Sequence, residues 1–174
     1  MSKAKLEQIL KKEIDINKIA KAVRIAGYHL PSDRKAKKSI SADVRFIDNG
    51  DGTIADTKSG LIWVKNPHTD MLEQFKGEMP WRAAINACKA LDFAGYNDWR
   101  LPTVEELRGL VDYTKHEPAI DKVFFSDTKS SWYWTSTTVA GYPGLAWSVY
   151  FYYGYVYGYN KDINNYVRPV RSSQ

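Results

Sequence analysis

Nine of the twelve tyrosines in this 174-residue sequence lie after residue 130. A phenol brings a flat apolar ring, a polar tip and two torsions to freeze, which is chemistry for holding a partner rather than for breaking bonds. In the stretch 147–152, Trp147, Val149 and Phe151 alternate with Ser148, Tyr150 and Tyr152. Period-two alternation places these two sets on opposite faces of a strand. A turn at Tyr152-Tyr153-Gly154 follows. Beyond it Val156 shares a face with Gly154 and Gly158, and Tyr155, Tyr157 and Tyr159 share the other. Asn160, Asp162, Asn164 and Asn165 make a polar loop before the return strand Tyr166–Arg171. An interior has no need of so many phenols, because each buried hydroxyl must find a partner. The candidate ligand-binding set is therefore Ser148, Tyr150, Tyr152, Tyr153, Tyr155, Tyr157, Tyr159, Asn160, Asp162, Asn164 and Asn165. The competing reading is that the tyrosines are cross-strand pairs stabilising a sheet. It is strongest for Tyr133 and Tyr166, which adjoin core-like residues.

Other reactive side chains are sparse. Cys88 is the single cysteine and lies on an apolar helical face, so it reads as a small buried hydrophobe with no disulfide to form. His29, His68 and His116 are scattered, and His116-Glu117 are mere sequence neighbours. Asp48-Asn49-Gly50-Asp51-Gly52 is rich in carboxylates but lacks the calcium-loop spacing, so a hairpin turn is expected there. Arg100 is expected to pair with a carboxylate such as Asp98 or to bond to backbone carbonyls, and Arg168 and Arg171 to be structural likewise, with a phosphate or sulfate role as the alternative. There is no nucleophile elbow, P-loop or H-E-x-x-H. The sequence thus offers no catalytic residue, metal set or cofactor site, and the reading is not an enzyme.

The elements that must position the tyrosines follow from periodicity. Residues 44–64 read as short strands joined by turns at Asn49-Gly50, Asp51-Gly52 and Lys58-Ser59-Gly60, with a loop over 65–79. Trp81, Ala84, Ile85, Cys88 and Leu91 share one helical face. Thr103-Val104-Glu105-Glu106 is a capping box opening a second helix that buries Leu107, Leu110 and Val111. After residue 120 the helical period gives way to β-like segments. Strands, two helices and then strands make an α+β fold. Residues 1–43 read as a helical arm and linker, and residues 44–174 as the main domain. Residues 1–45 hold 12 Lys/Arg against 5 Asp/Glu, whereas the remainder is net −2, so the basic character belongs to the arm. Nucleic-acid binding by the arm is the weaker reading, since the interval is short for a three-helix unit. The longest apolar runs are too short for a membrane span, and no secretory leader is visible, which points to cytoplasmic synthesis with surface or virion display by another route. Oligomeric state is left open.

DNGDGTIADTKSGLIWVKNP, W-x-x-A-x-x-x-C-x-x-L at Trp81–Leu91, GYNDWRLPTVEEL, YWTST and VRPVRS occur in this order. From about Val44 to Ser172 the chain resembles the Lcl C-terminal domain family, named after a collagen-like bacterial adhesin. The resemblance implies a C-type lectin-like fold: two helices and a twisted antiparallel sheet that presents a ligand surface. Variable proteins of diversity-generating retroelements use the same fold, with a stable scaffold under hypervariable strands. By that resemblance Trp147, Val149, Phe151, Gly154, Val156, Val167, Arg168, Val170 and Arg171 are scaffold. Between them Ser148, Tyr150, Tyr152, Tyr153, Tyr155, Tyr157, Gly158, Tyr159, Asn160, Asp162, Ile163, Asn164, Asn165 and Tyr166 are types reachable from an Asn codon by changing adenines alone. The implied partner is a protein or cell-surface ligand, with a glycan-binding adhesin as the alternative. Many relatives carry Cys where Pro169 stands, able to pair with the cysteine matched by Cys88; the pair is absent here, which fits a reducing compartment. The related copper oxidases of this fold need cysteine thiols that a lone Cys88 cannot supply.

Overall fold

The computed structural model describes residues 44–173. The helical arm and linker expected over 1–43 lie outside the described residues, and so does His29. Asp48 and Asp51 spend their carboxylates on the first turn. Asp48 accepts from the Gly50 amide at 3.0 Å, and Asp51 from the amide and hydroxyl of Thr53 at 2.9 and 2.6 Å. Gly50 and Gly52 sit at φ +77° and +91°, where a side chain is strained. The turn joins β1 (Phe46–Asp48) to β2 (Thr53–Asp56) as an antiparallel hairpin, as its sequence requires. β3 (Leu61–Val64) follows the Gly60 turn. The span 65–79, expected to be loop, instead carries a 3-10 helix over Asp70–Phe75 and ends in β4 (Met79–Pro80).

α1 (Trp81–Lys89) buries Ala84 and Cys88. α2 (Val104–Arg108) opens on the capping box. The Glu106 amide donates to the Thr103 hydroxyl at 3.3 Å, and the Thr103 amide to the Glu106 carboxylate at 2.8 Å. Its buried face is Leu107, with Leu110 just beyond. The chain then runs through β5 (Trp132–Val139), β6 (Tyr142–Tyr150), β7 (Tyr155–Asn160), β8 (Asn164–Asn165) and β9 (Val170–Ser172).

Among the described residues these strands form a four-stranded sheet ordered β1-β2-β3-β9, a three-stranded sheet β5-β6-β7 and a ribbon β4-β8. Every pairing between them is antiparallel, so the class is α+β. Two apolar clusters fill the space between the layers. One joins Trp63, Leu107, Phe125, Tyr133, Val149 and Phe151; the other joins Phe75, Ala84, Cys88, Trp99, Trp134 and Val167. Trp134 and Tyr133 are adjacent on β5 and feed different clusters. The sheet is therefore covered on both sides, and its tyrosine face is open only where the second cluster stops.

A tyrosine face on the β5–β6–β7 sheet

The register decides which side chains share that face. Tyr150 lies opposite Tyr155 and Trp132, Ser148 opposite Tyr157 and Trp134, and Ala146 opposite Tyr159. Directly opposed residues point the same way, so all eight belong to one side. The expected alternation along β6 and β7 is therefore present. Coverage of the face is uneven. At one end the Trp134 indole donates to the Met79 carbonyl of β4 at 2.8 Å, and the Trp81 indole of α1 donates to the Thr135 carbonyl at 2.8 Å. These elements close over Trp134 and Ala146, both fully buried.

Ser148 and Asn165 fall under the same cover, which corrects their place in the candidate set. Both are buried, and the Asn165 side-chain amide donates to the Ser148 hydroxyl at 3.1 Å. Asn165 is brought there by β8, whose register with β4 sets it opposite Met79. Two polar groups closed off from solvent and bonded to each other inside the protein do not meet a ligand at the surface. The other nine candidates reach the surface. Tyr153, Tyr155 and Tyr157 are 50%, 62% and 61% exposed. Tyr150, Tyr152 and Tyr159 are half-buried, while Asn160, Asp162 and Asn164 are exposed.

The rings make a continuous chain. Tyr157 meets Tyr159 at 5.4 Å between centroids, Tyr159 meets Trp132 at 4.8 Å, and Trp132 stacks on Tyr150 at 4.6 Å with planes 17° apart. Tyr150 continues to Tyr152 at 5.8 Å, Tyr152 to Tyr153 at 4.4 Å, and Tyr153 to Tyr155 at 5.8 Å. Seven aromatic side chains thus touch in sequence around the exposed end of the sheet. Trp132 sits in the middle of the chain and is absent from the candidate set, because its own segment signals a strand but not the register that lays it beneath Tyr150. Glu117 is the second omission. Its carboxylate accepts the Tyr152 hydroxyl proton, an interaction across 35 residues, and this bond holds the phenol's pKa above its ordinary value. The Glu117 amide and the Ala119 amide also donate to the Tyr152 and Phe151 carbonyls at 3.0 and 2.6 Å, pinning the turn that carries Tyr152 and Tyr153.

Gly154 completes that turn at φ +85°, and a Cβ there would stand 2.4 Å from a Val111 methyl and 3.0 Å from the Tyr113 ring. Glycine is required twice over, by backbone conformation and by space. Of the other scaffold positions, Val149, Phe151, Val167, Arg168, Val170 and Arg171 are buried, and Trp147 and Val156 are half-buried.

The arginines are structural, with one partner exchanged. Arg100 forks onto Glu106 through two 2.7 Å bonds, and Asp98 instead holds Arg171 at 2.6 and 3.1 Å. Arg100 pairs with a carboxylate as expected, but the carboxylate is Glu106 and not Asp98, because Arg171, 73 residues away, arrives on β9 beside β3 and takes Asp98. The Arg171 hydrogen bonds keep the Asp98 carboxyl below its usual range. Arg168 is fully buried and donates to the Val64 and Lys65 carbonyls at 2.7 Å each, to Asp127 at 3.0 Å and to Thr128 at 2.8 Å. Each of the three guanidinium groups thus pairs with a carboxylate of the chain, and Arg168 Nε is left buried without a hydrogen-bond partner.

His68 is buried beside this cluster. Its Nδ1 lies 2.8 Å from the Phe75 carbonyl, which can only accept, so Nδ1 carries the proton. Nε2 then accepts from the Tyr133 hydroxyl at 3.0 Å, while that hydroxyl accepts from the Lys129 amide at 2.8 Å. Burial, aided by the charge of Arg168, drives the His68 pKa down to about 4. His116 is exposed at the surface, its Nδ1 3.9 Å from Glu117. Burial pushes the Cys88 thiol up, so it stays protonated in the second apolar cluster. Among the described residues no three His, Cys, Asp or Glu side chains gather as a metal-holding group, and no helix is long and apolar enough to cross a membrane.

Among curated proteins none matches the sequence. The sequence profile of the Lcl C-terminal domain matches residues 52–171, from the Gly52 turn into β9. That span holds α1, the capping box of α2, all seven rings and the Arg168 cluster. By this match, over more than half of its length, the chain belongs to the Lcl C-terminal domain family.

Proposed function

We propose that the domain is a non-enzymatic ligand-binding display domain of C-type lectin-like fold, a variable protein of the kind made by diversity-generating retroelements. The seven-ring chain from Tyr157 through Trp132 to Tyr155 is the binding face. The observation that carries this reading is the division of labour on one sheet. Seven of the nine positions that the family resemblance assigns to scaffold are buried, whereas the residue types reachable from Asn codons, Ser148 and Asn165 apart, reach the surface. Affinity comes from burying large rings that lose little conformational entropy. Asn160, Asp162 and Asn164 supply directional polar contacts at the rim. The partner is a protein or cell-surface ligand. The decisive test lies in the DNA around the coding sequence. A reverse transcriptase gene beside a near-copy of codons 147–171 that differs only at adenines supports the assignment. Codons at Tyr150, Tyr155 and Tyr157 without such a template overturn it.

A glycan-binding role draws on one particular arrangement, the exposed Tyr155 and Tyr157 rings next to the amide and carboxylate groups of Asn160 and Asp162. Sugar rings stack on such surfaces. Binding on a glycan array that disappears in Tyr155→Ala and Tyr157→Ala would move the assignment to an adhesin-type lectin domain.

A further inference from the structure

The two edges of the β5–β6–β7 sheet are finished differently. On the outer side of β5, the Trp134 amide donates to the Tyr166 carbonyl and the Tyr166 amide to the Trp132 carbonyl, both at 2.9 Å. The Ser136 amide donates to the Pro102 carbonyl at 2.7 Å. That edge is closed. β7 pairs with β6 through six consecutive residues without a bulge, and among the described residues no strand pairs with its other side, where the Asn160 carbonyl at the strand's end accepts from the Ile163 amide at 3.2 Å. A strand with one neighbour presents its remaining amides and carbonyls outward as a template for another strand. Edges are ordinarily guarded by charge, proline, a bulge or brevity. The short outer strand β1 ends on Asp48, next to Lys65. β7 reads Tyr-Val-Tyr-Gly-Tyr-Asn and has none of these guards.

We propose that β7 pairs with β7 of a second copy of this chain, antiparallel about a two-fold axis at Tyr157, to give one six-stranded sheet. The side chains of β7 suit this occupant. In that register Tyr155 lies opposite the counterpart of Tyr159, and Tyr157 opposite its own counterpart, so ring meets ring on one face. On the other face Val156 lies opposite the counterpart of Gly158, branched side chain against none. The Val139 methyl stands 2.8 Å from where a Cβ on Gly158 would be, so that position offers an apolar floor. Beside Val156 a cleft of about 330 Å³, walled by Val104, Glu105, Arg108 and Gly109 of and just after α2, leaves room for the incoming strand. The strand carries no charge, so a copy approaching itself meets no repulsion along the seam.

The test uses the full chain without any ligand and reads its mass by sedimentation across concentration. The wild type is expected to rise from 19.9 kDa toward twice that value. Tyr157→Lys and Tyr157→Glu each set like charges opposite each other and are expected to weaken self-association about tenfold or more. Mixed together, they are expected to recover a heterodimer. Tyr157 is 61% exposed, so either charge is solvated in the monomer, and circular dichroism verifies that the fold is kept. A wild type that stays at 19.9 kDa overturns the proposal and leaves the edge to an extended segment of another protein. Self-association equal in both variants also overturns it, since the contact then lies elsewhere in the chain. Neither outcome depends on whether the tyrosine face binds a ligand.

Discussion

On one side of the β5–β6–β7 sheet Tyr133 is sealed from water, its hydroxyl donating to His68 and accepting from Lys129. On the other side Tyr155 and Tyr157 stand in solvent, touching other rings. The residue type is the same, and the hydroxyl's partners separate the two uses. A buried phenol is held by bonds that extend into the framework, so replacing it disturbs several groups at once. An exposed phenol is held through ring contacts at its edge and can be exchanged with little consequence for its neighbours. A domain that must vary its surface without unfolding needs this separation. Each experiment below can either widen the gap or close it.

The largest effect is expected on the framework side, at Arg168 and Asp127. Arg168 is fully buried and Asp127 nearly so, at side-chain exposures of 0% and 11%. Removing one partner of a buried pair leaves the other desolvated and uncompensated, at a cost of about 3–5 kcal/mol. Asp127→Ala should show this in chemical denaturation. Asp127 also accepts the His68 amide at 2.7 Å, so the loss spreads to the Tyr133 network. A change below about 1 kcal/mol would mean that the framework tolerates substitution as freely as the surface.

Gly154 joins the two regions. Gly154→Ala combines a left-handed backbone with a 2.4 Å overlap on Val111, and a loss of roughly 2–3 kcal/mol is expected. Because the same turn carries Tyr152 and Tyr153, this variant should also change their fluorescence and ring-proton shifts. Preserved shifts would show that the tyrosine face is insulated even from its own turn.

The turn also marks how far a sequence can be read. The Thr103–Glu106 box and the Gly50, Gly52 and Gly60 turns depend on residues a few positions apart, and each formed as its local chemistry dictates. The alternation in β6 likewise showed two faces. It held no information about which end of a face another element would cover, and that is where Ser148 and Asn165 were misplaced. Their burial depends on β8 meeting β4, across 86 residues from Met79 to Asn165. Trp132, Glu117 and the Asp98–Arg171 pair were hidden for the same reason. Long-range register brings them to their partners, and no local period encodes it.

Acid should act on the two sides differently. His68 is neutral in the fold, its pKa lowered from 6.5 to about 4. Between those values the unfolded chain binds more protons than the native one. Stability is therefore full above pH 6.5 and falls as the pH drops toward 4, by up to about 1.4 kcal/mol per pH unit. Protonation puts a second N–H on the ring facing the Tyr133 hydroxyl, whose own proton then has nowhere to go. His68→Gln should flatten the slope in this window, leaving the loss below about pH 4 from carboxylates such as Asp56 and Glu106. For both, burial is the largest influence and raises the pKa, and the hydrogen bonds and charges that oppose it, from Arg45, Ser59 and Lys58 at Asp56 and from Arg100 and Thr103 at Glu106, together bring it below the ordinary value. An unchanged slope in His68→Gln would remove His68 as its source.

The smallest stability effects are expected at the rings themselves, and they are graded. Tyr155→Ala and Tyr157→Ala remove side chains that are mostly solvated, so each should cost no more than about 0.5 kcal/mol. Tyr150 has the same chemistry but lies flat on Trp132 at 4.6 Å, and Tyr150→Ala should cost about 1–2 kcal/mol through lost ring contact and partial burial. Trp132→Ala should cost more than Tyr150→Ala, since it strips the stacked partner from Tyr150 and the edge-on partner from Tyr159. The order Trp132, Tyr150, then Tyr155 and Tyr157 is what a rigid floor beneath exchangeable tips requires. If Tyr155→Ala or Tyr157→Ala proved as costly as Trp132→Ala, the rings would be acting as one packed unit. Stability and variability would then be coupled at every position of the face, and a display surface could not be diversified there without unfolding its support.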